Sequence, residues 1–177
     1  MGTAVVHPIA GALAERDLKV TSIIGGRSAE WIIFEDELKR YGDVQVCTDD
    51  GSAGRHGFVT DALTELLDNG GIDHVYAVGP VPMMGAVSEL TRFYKVPTTV
   101  SLNAIMVDGT GMCGGCRVNV SGRTVYACVE GPEFDGHEVD YNILADRLGM
   151  YRESEERARD ACAIDGLAEK AAAGAAS

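Results

Sequence analysis

Through the first hundred residues, stretches with apolar positions at helical spacing alternate with short apolar runs stopped by glycine. The spacing predicts a helix from Val5 to Glu15, with Pro8 tolerable near its first turn, and then a strand from Lys19 to Ile24 closed by Gly25-Gly26. An amphipathic helix is expected over Trp31–Tyr41, with Ser28 as its N-cap. A strand follows over Asp43–Thr48, a polar loop over Asp49–Gly57, and a helix over Thr60–Asn69. The strand His74–Val78 ends at Gly79-Pro80. A helix over 82–94 and a strand over Pro97–Leu102 complete the series. Strands separated by helices of this length imply βαβ units, hence an α/β fold with a parallel sheet and right-handed crossovers.

Downstream the period changes. Arg117–Val120 and Arg123–Val129 alternate on either side of Ser121-Gly122, which reads as a β-hairpin. A helix is expected over Asp140–Arg152, followed by an Ala/Glu/Arg-rich tail. The expected organisation is a nucleotide-binding unit over 1–100, a small hairpin subdomain over 101–139, and a C-terminal helix and tail over 140–177. The opening is unusual. Gly2-Thr3-Ala4 leads straight into a helix, where a dinucleotide fold opens strand, Gly-rich turn, helix. The expectation is that the first, central strand is missing and that its neighbours' edges need another partner.

Composition narrows the functional classes. A formal charge of −12 argues against nucleic acid and anionic membranes, which select Lys and Arg. No apolar run reaches membrane-spanning length, and no basic-then-apolar leader is visible, so a reduced cytoplasm is expected for the free cysteines.

The chemistry is concentrated in one segment. Asp108-Gly-Thr-Gly-Met-Cys113-Gly-Gly-Cys116, with Cys128 beyond it, has the spacing D-x4-C-x2-C-x11-C. A plant-type [2Fe–2S] site reads C-x4-C-x2-C…C, so a carboxylate stands here for the first thiolate. Four anionic ligands in that register can hold two irons, two ligands on each. Four of the eight residues from 109 to 116 are glycine, which lets a loop approach inorganic sulfide and present backbone N–H groups to it. Zinc in an S3O set is the competing reading, although structural zinc sites mostly combine Cys and His and no His lies in this loop. A disulfide fits poorly with five cysteines and no leader. Cys47, in a strand pattern, is expected to be a buried small hydrophobe, and Cys162 has no assigned role.

In parallel sheets ligands bind beyond the C-terminal strand ends. That rule selects Arg27, then Asp50, Gly51 and Ser52, then Gly79, Pro80, Met83 and Met84 as nucleotide-site candidates, with Gly2 and Thr3 as a pyrophosphate turn at a helix N-terminus. Each loop is equally readable as a plain turn, and the two methionines as helix-start packing. Arg27 after the second strand is compatible with the 2′-phosphate of NADP or with stacking on the adenine of NAD.

Tyr76-Ala-Val-Gly-Pro-Val-Pro-Met-Met84, Thr48-Asp-Asp-Gly-Ser52 and Ser101 through Val118 together resemble the FAD- and NAD-binding electron-transfer subunits of the ferredoxin reductase superfamily. The resemblance runs from about Gly2 to about Tyr151. It is strongest to the small subunit of NADH-dependent ferredoxin:NADP oxidoreductase, also described as a sulfide dehydrogenase subunit. The electron-transfer subunit of dihydroorotate dehydrogenase B is a near relative, with Cys at the first ligand position. Such proteins carry an N-terminal flavin-binding barrel, and the expectation from the resemblance is that the barrel is missing here. The resemblance implies a ferredoxin-reductase-like nucleotide domain and electron flow among NAD(H) or NADP(H), FAD and a [2Fe–2S] cluster. It further implies a larger flavin/iron–sulfur catalytic subunit as partner and ferredoxin or a similar carrier. A flavin must stand between a hydride donor and a one-electron centre.

Overall fold

The computed structural model describes residues 2–161. The first helix, α1, runs from Gly2 to Ala14 and begins earlier than its apolar spacing suggests. Pro8 therefore falls in its interior and withholds a hydrogen bond from the Ala4 carbonyl. Strand β1 (Val20–Gly26) pairs in parallel with β2 (Gly42–Thr48), and β2 pairs with the two-residue β3 (Arg55–His56) inside the expected loop. The helix expected over Trp31–Tyr41 is reduced to a 3-10 turn at Ala29–Trp31 and a single turn, α2, at Glu35–Leu38. Phe34 between them sits at φ 61°, left-handed, which breaks the helical run. Ser28 precedes the 3-10 turn without capping it through its side chain.

Helix α3 (Val59–Asn69) is entered at Phe58, whose N–H donates to the Asp61 carboxylate at 3.0 Å. Strand β4 (Val75–Ala77), helix α4 (Val81–Tyr94) and strand β5 (Thr98–Ser101) form a parallel βαβ unit. The hairpin is β6 (Arg117–Val120) and β7 (Arg123–Tyr126), turned by Ser121 and Gly122 at φ 51° and 73°. Both central residues at positive φ match the hand of turn that suits a two-residue hairpin loop. Strand β7 stops at Tyr126, so Cys128 lies in the turn beyond it rather than on the expected strand. Strand β8 (Glu133–Asp135), absent from the sequence reading, returns to pair antiparallel with β5. Helix α5 (Tyr141–Leu148) is capped by Asp140, whose carboxylate accepts from the N–H of Asn142 and of Ile143. A 3-10 turn at Gly149–Tyr151 leads into an exposed helical stretch over 152–161. The tail assigned beyond it, with Cys162, lies outside the described residues.

The parallel strands thus fall into two groups, β1-β2-β3 and β4-β5-β8, instead of one sheet. Among the described residues β1 pairs only with β2, and β4 only with β5, leaving one edge of each without a strand. A small apolar core of Ala10, Ile24 and Leu38 lies against the first group, and a larger one packs the second. The larger core takes Leu63 and Leu67 from α3, Ala77 from β4, and Met84 and Val87 from α4. It continues through Val100, Cys116, Val118 and Ala127 to Leu144 of α5. A polar seam runs beside it. Thr98 donates to Thr91 at 2.6 Å, Thr91 meets His137 Nε2 at 3.0 Å, and Ser88 meets Tyr141 OH at 2.7 Å. These bonds tie α4 to β5, to His137 and to Tyr141 at the start of α5, and buried polar groups satisfied in this way fix the packing.

Candidate functional site

The segment from Ala104 to Cys116 leaves the core after Leu102 and returns at Cys116, which is buried. Between them the loop is held by its own polar groups. Asp108 accepts from the N–H of Thr110 at 2.9 Å and from the N–H of Cys113 at 3.0 Å. Those bonds, the Thr110 one foremost, hold the Asp108 carboxyl below its ordinary range, so it is an anion. Gly109, Gly111 and Gly114 all take positive φ, which the tight path requires. The N–H of Gly115 points at Cys113 Sγ at 3.3 Å.

Cys128 arrives from the other side, on the turn after β7. Its sulfur lies 3.1 Å from Cys116 Sγ, and both thiols are free. The Cys128 backbone N–H and then its thiol lower the Cys116 thiol, while the same contact raises that of Cys128. Of the four sequence-selected residues, Cys116 and Cys128 meet through their sulfurs, and Asp108 meets Cys113 through the Cys113 backbone N–H. Among the described residues no three His, Cys, Asp or Glu side chains converge on one point as a single ion requires. Exposed apolar side chains surround the loop: Met106, Val107, Met112 and Val129. Behind it, Arg147 of α5 donates to the Gly115 carbonyl at 3.0 Å. The sequence reading missed Arg147, because nothing in the order of residues brings α5 to this loop.

Cys47 is buried in β2, and burial pushes its thiol up, so it stays neutral and inert.

The nucleotide candidates fall at the C-terminal ends of the parallel strands. The Asp49 and Asp50 N–H groups donate to the Gly26 and Arg27 carbonyls at 3.1 and 3.2 Å, placing Arg27 beside Asp50. Ser52 donates to Asp50 Oδ1 at 2.6 Å and accepts from the Ala29 N–H at 2.8 Å. Its hydroxyl is thus engaged in fastening the loop after β2 to the loop after β1. Gly51 tolerates φ 72° between them. At the other sheet, Gly2 packs on the end of β4: a Cβ there would lie 2.2 Å from the Val78 carbonyl oxygen. Gly2 and Thr3 at the start of α1 are in this way brought to Gly79 and Pro80. Met83 is half-buried and its Cε crowds Gly79. Met84 departs from the expectation. It is fully buried in the core because the helical turn directs it inward, and it cannot border a cleft. His7 stacks between Phe34 and Tyr41 at 5.3 and 5.4 Å rather than facing a cleft at the helix start.

Residues 103–140 match the family described as the iron–sulfur cluster binding domain of dihydroorotate dehydrogenase B. The chain is 50% identical over 156 residues to a Thermotoga maritima protein described as a homolog of the dihydroorotate dehydrogenase B (NAD(+)) electron transfer subunit, covering 88% of this chain and 55% of that one. A Methanocaldococcus jannaschii protein described as the probable electron transfer subunit is 33% identical over 161 residues, covering 91% of this chain and 58% of that one. A solved structure of the NADH-dependent reduced ferredoxin–NADP oxidoreductase, studied for flavin-based electron bifurcation, matches with a TM-score of 0.82 and 46% identity. That match covers 90% of this chain and 58% of the other. The chain spans a little over half the length of the relatives it matches.

Proposed function

We propose that this chain, a relative of the electron-transfer subunits of dihydroorotate dehydrogenase B and of the ferredoxin–NADP oxidoreductase, moves electrons one at a time through a [2Fe–2S] cluster. Asp108 and Cys113 would hold one iron, and Cys116 and Cys128 the other. The observation that carries this reading is the 3.1 Å contact of the Cys116 and Cys128 sulfurs beside a glycine loop on which the Asp108 carboxylate accepts from the Cys113 N–H. That set suits two ferric ions bridged by sulfide better than one tetrahedral zinc.

A bound cluster of this kind accepts and releases single electrons. The chain's own groups supply the rest. Gly115 N–H donates toward Cys113, and the ordered loop keeps Cys116 away from water. The exposed Met106, Val107, Met112 and Val129 offer an apolar rim on which a partner carrying another redox group can seat close to Cys113.

The nucleotide would lie across the C-terminal strand ends. Gly2, Thr3, Gly79 and Pro80, with Met83, form one wall, and Arg27, Asp50 and Gly51, braced by Ser52, form the other. Gly2 and Thr3 offer α1 N–H groups to a pyrophosphate. NADH or NADPH, with an FAD held outside the residues described, would complete the chain of carriers to a larger catalytic subunit. Asp108 favours the ferredoxin–NADP oxidoreductase type. The match of residues 103–140 favours the dihydroorotate dehydrogenase B type.

Anaerobic visible and EPR spectra, with iron and zinc assayed on the same sample, test the reading. About two irons per chain and a rhombic signal on reduction are expected. One zinc and a colourless protein would overturn it.

A further inference from the structure

Resting on the cluster reading above, we propose that Arg147 is a positioning residue that holds the Cys113–Cys116 loop from behind and raises the reduction potential of the centre it carries. Arg147 stands half-buried on α5, thirty-two residues beyond the loop in sequence, and its Nη2 donates to the Gly115 carbonyl at 3.0 Å. The same glycine presents its N–H to Cys113 Sγ at 3.3 Å. The amide formed by the Gly115 carbonyl carries the N–H of Cys116. One guanidinium therefore fixes the backbone that separates the two thiolates of the CxxC motif. It also polarises the amide of one of them.

The charge is not neutralised locally. Arg147 makes no ion pair among the described residues, whereas the side chains of Arg55 and Lys39 are each paired with glutamate. Among the described residues, Arg147 is the arginine that donates a hydrogen bond to the backbone between Cys113 and Cys116. It has α5 packed beneath it through Leu144, which is buried. A second guanidinium, Arg117, covers Gly114, where an added Cβ would meet Nη1 at 3.1 Å. Arg117 is exposed, so its charge is screened by water, while Arg147 acts in a drier setting where a charge is felt more strongly.

The sign follows from electrostatics. Reduction adds one negative charge to the centre, and a fixed nearby cation stabilises the reduced form more than the oxidised form. Removing the cation should shift the reduced-to-oxidised ratio at fixed potential by about tenfold, which for one electron is ~59 mV lower. A role in shape alone would alter iron retention without moving the potential.

The test uses the full chain with Arg147→Gln and Arg147→Lys, iron analysis, and an EPR-monitored redox titration. Expected are a wild-type protein with iron, an Arg147→Gln protein with a lower potential, and an Arg147→Lys protein most of the way back. An Arg147→Gln protein that keeps both iron and the wild-type potential overturns the proposal. If Arg147→Gln loses its iron, Arg147→Lys decides: loading with a near wild-type potential supports the proposal, and loss of iron from both variants reduces Arg147 to an anchor and overturns it. A wild-type protein that takes up no iron sinks the cluster reading itself, and this inference with it.

Discussion

Cys116 Sγ and Cys128 Sγ lie 3.1 Å apart, unbonded, although one ends a loop anchored in the core and the other sits on the turn beyond a hairpin. The hairpin makes this possible. Its register sets Arg117 opposite Tyr126, and the Ala127 N–H donates to the Cys116 carbonyl at 3.0 Å, so the chain folds back one residue short of the second thiol. Replacing either sulfur should remove the shared site without unfolding the chain. Cys116→Ser and Cys128→Ser are expected to fall from about two irons per chain to a small fraction of that, with the far-ultraviolet spectrum unchanged. Retention of full iron by either variant, measured by iron assay and visible absorption, would argue against that residue as a ligand.

Asp108 has two possible duties, and isosteric variants separate them. Asn keeps one accepting oxygen, enough for one of the two bonds from the Thr110 and Cys113 N–H groups, and loses the charge. If the carboxylate is a ligand, Asp108→Asn loses iron and Asp108→Cys keeps it with an altered potential, because a thiolate is a softer donor than a carboxylate oxygen. If the carboxylate only staples the loop, Asp108→Asn, which keeps one of the two bonds, retains more iron than Asp108→Cys, which keeps neither. Iron content and potential across the two variants decide.

The loops after β1 and β2 should respond to acid through Asp50. The Ser52 hydroxyl, then the Ser52 N–H, hold the Asp50 carboxyl below its ordinary value. A depressed folded pKa contributes stability that is present above the unfolded pKa and is lost as pH falls through the folded one. Hydrogen-exchange protection at Ala29 and Ser52 is therefore expected to persist through the ordinary Asp range and to fail only below it. Ser52→Ala should lose protection at Ala29 at every pH.

Met84 and Gly2 give opposite tests of packing. Met84→Ala removes a fully buried side chain and should cost about 2–5 kcal/mol in denaturant unfolding. Gly2→Ala drives a methyl group to within 2.2 Å of the Val78 carbonyl, so α1 must shift away from β4. Its expected signature is a loss of nucleotide affinity in a binding titration, with a smaller change in stability than Met84→Ala.

Arg27→Ala reads the nucleotide choice. Stacking on adenine predicts that NADH and NADPH weaken by a similar factor, whereas recognition of a 2′-phosphate predicts selective loss of NADPH. Parallel titrations of the two coenzymes distinguish these.

The parts of this structure that were legible in the sequence are those set by local chemistry. Ser121-Gly122 announced the hairpin, and the glycine-terminated runs located β1, β2 and β4 within a few residues. The D-x4-C-x2-C-x11-C spacing marked Cys116 and Cys128, whose sulfurs the fold brings together. What the sequence concealed was decided by distant partners or by single torsions. The apolar run Ile32-Ile33-Phe34 looked helical, but Phe34 at φ 61° cuts the helix to one turn. Three residues of β8 carry too little alternation to be seen, and they become a strand only because β5 offers them an edge. Met84 looked like cleft lining because it follows Pro82 at a strand end, yet helical phase sends it into the core. Arg147 could not be singled out at all, since its meaning lies in α5 reaching back to Gly115.

The return of β8 to β5 has a bearing on how such proteins can be recombined. Residues 133–135 lie within the stretch matching the cluster-binding family, yet they complete the sheet of the preceding unit, and His137 and Tyr141 reach α4. A truncation at residue 101 would therefore leave β5 with a bare outer edge and remove His137 and Tyr141 from α4. Exchange of residues 103–140 between relatives has to carry the matching face of α4 and β5 with it. The two stretches are separate in sequence and interlocked in space.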